Sequence, residues 1–426
     1  MKVSVIGSGY VGTAVAVCLA ELGHEVVNVD IDGDTVASIN DGVAPVHEPR
    51  LGELVEEHVE SGALRATTEY DAVRETELTL ICLPTPSRDD GSVDTSIVEE
   101  GARSVGEALA ENDGYHVVGV KSTVVPGTVE DAVVPAVEEA SDRRVGDGFG
   151  VASNPEFLRE GTAVDDFLDP DKVVVGASDG RARDALRRLY EPLLERSDAE
   201  YVETGVREAE TIKYANNAFL ASKLSVVNEI ANVCKEAGVD SYEVMDAVGI
   251  DHRISSSFTR SGLGWGGSCF LKDVDALRSF ARSEGYETEL LDAVVDVNDR
   301  QAHRAVELLR RHVELDGARV AVLGLAFKPQ TDDVRNSRAL DVIRLLDERG
   351  ADVVAYDPEA TENARRALDI DVEYADSAQD AVEDAGGIVI ATDWDEFEEL
   401  DASGKVVVDG RRVEVRNAEV YEGLCW

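Results

Sequence analysis

The chain has 426 residues, 43% of them hydrophobic, enough for two or three domains with buried cores. Its 87 acidic against 41 basic side chains give a formal charge of −46, which argues against nucleic acid as a partner, because phosphate binding needs basic patches. No run of about 18 apolar residues marks a membrane span and no leader-like segment precedes the first strand, so the expectation is a cytoplasmic protein with no membrane partner.

The acid is spread along the whole chain, and arginine supplies most of the positive charge. This pattern predicts adaptation to high salt. At about 1 M the Debye length falls to ~3 Å, which screens the self-repulsion that opposes a compact state. The five cysteines, Cys18, Cys82, Cys234, Cys269 and Cys425, are far apart and form no Cys-x-x-Cys pair. Reduced thiols and no metal site are expected.

Residues 2–6 read as a buried parallel strand. Gly7-Ser8-Gly9-Tyr10-Val11-Gly12 opens a helix to about Leu22, with Gly23 as its C-cap. A second strand at 26–29 ends at Asp30 and completes a βαβ unit. Further strands are expected at 79–83, 116–120, 149–152 and 172–176. From about residue 200 the chain is strand-poor. A long helix is predicted over 208–238, from the helical spacing of Ala215, Ala218, Leu220, Ala221, Leu224 and Val227, followed by shorter helices to about 313. Strands return at 319–323, 353–356, 387–391 and 405–408. The predicted fold class is α/β: two Rossmann-like parallel-sheet domains joined by a central helical segment with a long helix. The expected boundaries are 1–200, 201–315 and 316–426.

Six segments carry chemistry. The glycine loop Gly7-x-Gly9-x-x-Gly12 is weak evidence alone, but here it follows a strand, opens a helix and has Asp30 at the next strand end. Asp30 would accept from a ribose diol and repel a 2′-phosphate, so NAD is expected over NADP. Leu83-Pro84-Thr85-Pro86-Ser87 sits at a strand's carboxyl end, where open α/β sheets bind ligands. Asn154-Pro155-Glu156-Phe157-Leu158-Arg159-Glu160-Gly161 offers Glu156 as a general base, although solvated acid is the bland reading in so acidic a chain. Lys213 and Asn217 share a helix face and could stabilise an oxyanion, against the alternative of a snorkelling surface lysine. Gly264-Trp265-Gly266-Gly267-Ser268-Cys269-Phe270-Leu271-Lys272-Asp273 places a thiol, a cation and a carboxylate together. Taken alone, such a thiol is more often a small buried residue. Phe327-Lys328-Pro329 through Arg335, with Arg411 and Arg412, clusters cations that could meet a diphosphate.

In this order the segments resemble the UDP-glucose/GDP-mannose dehydrogenase family over nearly the whole chain. Leu271 departs from the proline many members carry there. The resemblance implies a four-electron oxidation of a nucleotide-sugar C6 alcohol to a carboxylate, with two NAD reduced and Cys269 forming a thiohemiacetal and then a thioester. It implies that Lys213 and Asn217 stabilise oxyanions, that Asp273 and Thr123 handle protons or water, and that Glu156 assists hydrolysis. Gly7, Gly9, Tyr10, Val11, Gly12, Asp30, Thr85, Pro86, Thr123, Glu160, Lys272 and Arg335 would hold the cofactor. Glu156, Phe157, Leu158, Lys213, Asn217, Arg253, Gly266, Phe270, Lys328 and Arg412 would hold the sugar nucleotide. Arg253 could act from a second subunit of a homodimer or higher oligomer. UDP-glucose is the favoured substrate. GDP-mannose, a UDP-N-acetylhexosamine, a two-electron hydroxyacid oxidation and an inactive NAD-binding scaffold stay open.

Overall fold

The computed structural model describes residues 1–112 and 114–426. The chain falls into two compact units, Met1–Ala215 and Asn216–Trp426. The strands of the first unit are β1 (Lys2–Ile6), β2 (Glu25–Val29), β3 (Leu64–Thr67), β4 (Leu78–Ile81), β5 (His116–Val120), β6 (Phe149–Ser153), β7 (Lys172–Ala177) and β8 (Glu200–Thr204), most of them rich in valine, isoleucine and leucine. They make one sheet in the order β3-β2-β1-β4-β5-β6-β7-β8. The central strands β4, β5 and β6 are buried along their whole length, as strands covered on both faces must be.

One strand runs against the expected direction. β7 is antiparallel to β6, pairing Ala152 with Ala177, and β8 then runs parallel to β7. An apolar run reads the same in either direction, so only the path of the chain decides it. The reversal lets residues 154–171 return to the sheet at the carboxyl end of β6 without a full crossover. That return segment carries Glu156.

In the second unit, β9 (Arg319–Leu323), β10 (Asp352–Tyr356), β11 (Glu373–Tyr374), β12 (Gly387–Ile390), β13 (Val406–Asp409) and β14 (Val420–Gly423) form an all-parallel sheet ordered β11-β10-β9-β12-β13-β14. Its two faces are covered by separate apolar clusters, one including Leu309, Ile343 and Leu424, the other Ile388, Phe397 and Val407. The long helix is Val206–Glu236, starting two residues earlier than expected. Among the segments that follow, Glu289–Arg310 has 22 residues and is not short. A further apolar cluster joins Ala218 and Ala221 of the long helix to Trp265, Val274 and Val294. Among the described residues no helix is long and apolar enough to cross a membrane.

Candidate active site

In the first unit the glycine loop links β1 to the helix Tyr10–Glu21. A Cβ on Gly12 would lie 2.1 Å from the Gly7 carbonyl oxygen, so only glycine lets the helix start this close to the strand. A Cβ on Gly9 would meet nothing within 4 Å, so the loop backbone is open at the helix N-terminus, as a bound pyrophosphate requires. The Asp30 carboxylate accepts from the Ser8 N–H at 2.6 Å and stands at the end of β2 beside the loop. These features fit a dinucleotide. Thr85 and Thr123 lie on neighbouring strand-end loops, joined by a 2.9 Å hydrogen bond from the Thr85 hydroxyl to the Thr123 carbonyl. Pro86 is exposed beside Thr85.

Tyr10, in the first turn of that helix, donates to Glu48, whose other carboxylate oxygen accepts from the Ala163 N–H at 2.6 Å. The Gly161 N–H also reaches Glu48, at 2.9 Å. Glu48 thus ties the glycine loop to the segment holding Glu160, a role for which its sequence held no signal.

Glu156 and Lys213 are both almost fully buried and form an ion pair of 2.8 Å. Burial works against the Glu156 carboxylate, but the Lys213 ammonium and the Leu158 N–H, 2.6 Å away, outweigh it and hold the carboxyl below its ordinary range. The solvated-acid reading of Glu156 and the surface reading of Lys213 are both excluded by this burial. Phe157 turns its ring towards Lys172 and Lys213, 4.6 and 5.5 Å from the ammonium nitrogens.

In the second unit Cys269 is exposed and caps the N-terminus of the helix Phe270–Ser283. The helix dipole there favours negative charge on sulfur. One turn on, the Asp273 N–H donates to the Cys269 carbonyl at 2.9 Å. The Asp273 side chain is 1% exposed; it accepts from Lys272 at 2.7 Å and from the Asn217 amide at 2.6 Å. Asn217, Lys272 and Asp273 therefore form one side-chain cluster, one helical turn on from Cys269.

The turn before the thiol is held from several sides. Gly267, at φ +85°, packs against the Phe327 ring and donates to the Arg335 carbonyl at 2.9 Å. Gly266 sits against the Asn336 carbonyl, and Trp265 exchanges hydrogen bonds of 2.8 and 2.9 Å with the Asn298 side chain. Phe270 meets Trp265 edge to face. Lys328 lies over Phe327, and Arg335 makes a bidentate pair with Asp333. Arg253 stands on an exposed loop, paired with Asp251.

A cavity of about 470 Å³ in this unit is lined by Tyr242, Glu243, Asp246, Arg260, Ser261, Asp393, Arg411 and Arg412. It includes the residues just past β12 and β13, next to the point where the strand order reverses between β9 and β12. Arg412 is held by Asp240 through bonds of 3.0 and 2.9 Å. Arg411 donates to the Ala391 carbonyl at 2.8 Å and points towards Gly264. Arg260 had drawn no notice in the sequence, where a single arginine in an ordinary turn carries no signal.

A dinucleotide cradle with its ribose carboxylate, and a thiol at a helix N-terminus beside a buried carboxylate, define an NAD-dependent oxidoreductase. Three models of the UDP-glucose/GDP-mannose dehydrogenase family match: its NAD binding domain over residues 1–194, its central domain over 207–300 and its UDP binding domain over 321–415. The chain is 57% identical to UDP-glucose 6-dehydrogenase AglM of Haloferax volcanii, with 100% of each chain covered. It is 38% identical to GDP-mannose 6-dehydrogenase of Azotobacter vinelandii, again over 100% of both. The solved UDP-glucose dehydrogenase of Pyrobaculum islandicum superposes with a TM-score of 0.94 at 46% identity, covering 100% of this chain and 98% of that one. The chain belongs to the UDP-glucose/GDP-mannose dehydrogenase family. It is an NAD-dependent nucleotide-sugar 6-dehydrogenase.

Proposed function

We propose that the substrate is UDP-glucose, oxidised at C6 to UDP-glucuronate through a thioester on Cys269. The observation that carries this is Cys269, exposed at a helix N-terminus one turn from the buried Asp273–Asn217 pair. The identity of the Haloferax volcanii and Pyrobaculum islandicum relatives supports the choice of sugar nucleotide.

When bound, NAD supplies the acceptor for each of the two hydrides. The C6 hydroxyl loses its proton and a hydride to become an aldehyde. The Cys269 thiolate then adds to the carbonyl carbon, and the family resemblance gives Lys213 and Asn217 the task of stabilising the oxyanion so formed. Loss of a second hydride and the hydroxyl proton leaves the thioester. Water attacks it, the C–S bond breaks, and carboxylate and thiol are released. Glu156, kept ionised by Lys213, serves as base in this hydrolysis, and Asp273 and Thr123 hold water or pass its proton. By the same resemblance Tyr10, Val11, Glu160, Lys272 and Arg335 would hold the cofactor. Leu158, Gly266, Phe270, Lys328 and Arg412 would contact the sugar nucleotide by that resemblance, and Arg260 and Arg411 of the cavity are added to the set.

This reading divides the chain into an NAD-binding part (1–200), a central part with the thiol (201–315) and a nucleotide-sugar part (316–426). It also makes the protein a cytoplasmic homodimer adapted to high salt. Phe219, Val226, Ile230 and Val233 form one exposed apolar stripe on the long helix, the kind of surface a second copy covers. Light scattering on the eluting peak measures that state; a monomer mass rejects the dimer.

The decisive assay counts NADH. Two NADH per UDP-glucose are expected, with no turnover by Cys269→Ala. One NADH per sugar rejects the thioester route, and faster turnover of GDP-mannose or a UDP-N-acetylhexosamine rejects the substrate.

A further inference from the structure

The mechanism above makes no use of the buried Lys121. Lys121 follows β5 and is 4% exposed. Its ammonium donates to the Asn154 carbonyl at 3.4 Å, to the Asn154 side-chain oxygen at 3.3 Å and to the Tyr190 hydroxyl at 3.4 Å. The rings of Phe167 and Tyr190 lie 5.8 and 5.9 Å away. Among the described residues no carboxylate forms an ion pair with it. An ammonium held this way is costly to bury, and an apolar side chain would fill the space at lower cost.

Its surroundings give the reason for keeping it. Asn154 is doubly anchored, by its amide to the Val174 carbonyl at 2.8 Å and by the Tyr190 hydroxyl at 2.5 Å, and Glu156 follows two residues later. The charged and titratable groups facing Lys121 are Glu156, Lys213 and the Cys82 thiol, with the Tyr190 phenol on the helix Gly180–Leu194. Two ammonium groups thus act on one carboxylate, Lys213 by direct pairing and Lys121 from across a shared cavity, leaving a buried excess of one positive charge.

We propose that Lys121 is a positioning residue that acts through Glu156: it fixes the Asn154–Glu156 turn and, with Lys213, keeps the Glu156 carboxylate ionised. The excess positive charge also has the sign that favours an oxyanion forming at the substrate. Burial pushes the Lys121 ammonium down to about 8, so its charge is itself lost in mildly alkaline solution. The proposal rests on the reading of Glu156 as a group that acts on the sugar.

The test is the pH dependence of kcat/KM for UDP-glucose in Lys121→Gln and Lys121→Met, with melting curves to confirm folding. Gln keeps a hydrogen-bond donor for Asn154 and removes the charge. The ratio of kcat/KM at pH 5 to that at pH 7 should fall at least about threefold in both variants. Lys121→Arg should keep the wild-type ratio; a residual cavity of about 40 Å³ bordering Lys121, Asn154 and Glu156 leaves room for part of the larger head. If Lys121→Met does not fold, the Gln and Arg pair decides. A wild-type ratio in Lys121→Gln overturns the proposal, because a purely structural role lowers kcat equally at every pH. Glu156→Gln separates the two readings. If it turns over like the wild type, the role of Glu156 itself fails. If it is crippled while Lys121→Gln keeps the wild-type profile, only the Lys121 proposal fails.

Discussion

Replacing Lys213 by methionine removes one half of a buried ion pair and leaves the other half in place. The side chains of Lys213 and Glu156 are 5% and 8% exposed, so water cannot take over from the lost ammonium. Breaking such a pair costs about 3–5 kcal/mol. Here the Leu158 N–H and the more distant Lys121 still face the carboxylate, which puts the expected loss near the lower end, about 3 kcal/mol. For a unit of this size that is a fall of about 6–12 °C in melting temperature. The sign with pH is fixed by Glu156. In the wild type its carboxyl is held below the ordinary range, so the pair stabilises the fold above the ordinary carboxylate pKa and loses this as pH falls through the folded value. In Lys213→Met burial dominates and the carboxyl rises. The variant's deficit is then largest at pH 8 and shrinks towards pH 5, where the acid can protonate. Thermal melts of both proteins at pH 5 to 8 in about 2 M KCl measure this. A deficit that stays constant across that range would show that Lys213 matters for packing alone. Glu156→Gln added to Lys213→Met should recover part of the loss, by removing the stranded charge.

Gly12→Ala should weaken NAD at least about tenfold and lower the melting temperature, because the new Cβ would sit 2.1 Å from the Gly7 carbonyl oxygen. NAD titration by fluorescence checks it; unchanged affinity would mean that the loop can shift freely. Asp30→Asn should raise KM for NAD about tenfold and narrow the preference against NADP, measured by initial rates with each cofactor. Arg411→Ala and Arg412→Ala should each raise KM for the sugar nucleotide by about tenfold and leave KM for NAD within about twofold. An equal loss for NAD would remove the cavity from the sugar-nucleotide role. Finally, the melting temperature should climb between about 0.1 M and 2 M KCl. No change would mean that the −46 charge is not a burden on the fold.

Most of the architecture was legible because buried parallel strands are written as continuous apolar runs. Residues 2–6, 116–120 and 319–323 were placed to the residue. The strands Leu64–Thr67, Glu200–Thr204, Glu373–Tyr374 and Val420–Gly423 were not seen. All four lie at sheet edges or are partly exposed, so they alternate or are polar, and nothing local marks them as strands. The direction of β7 was equally invisible.

The same division holds at the site. Local chemistry was enough to raise the glycine loop, Asp30 and the thiol as candidates, since a tight turn, a strand end and a glycine-rich approach are properties of a few consecutive residues. Burial is a long-range property, and it decided the rest. Whether Glu156 was solvated acid or a paired carboxylate depended on Lys213, 57 residues away. Asp273 likewise takes its buried partner from Asn217, 56 residues away. Glu48 and Arg260 look ordinary in the chain, because each takes its meaning from partners that only folding supplies. The sequence by itself determined the class of fold and marked Cys269 as the candidate nucleophile. Tertiary structure decided which charges are taken out of water together, and electrostatic interactions strengthen where water is excluded.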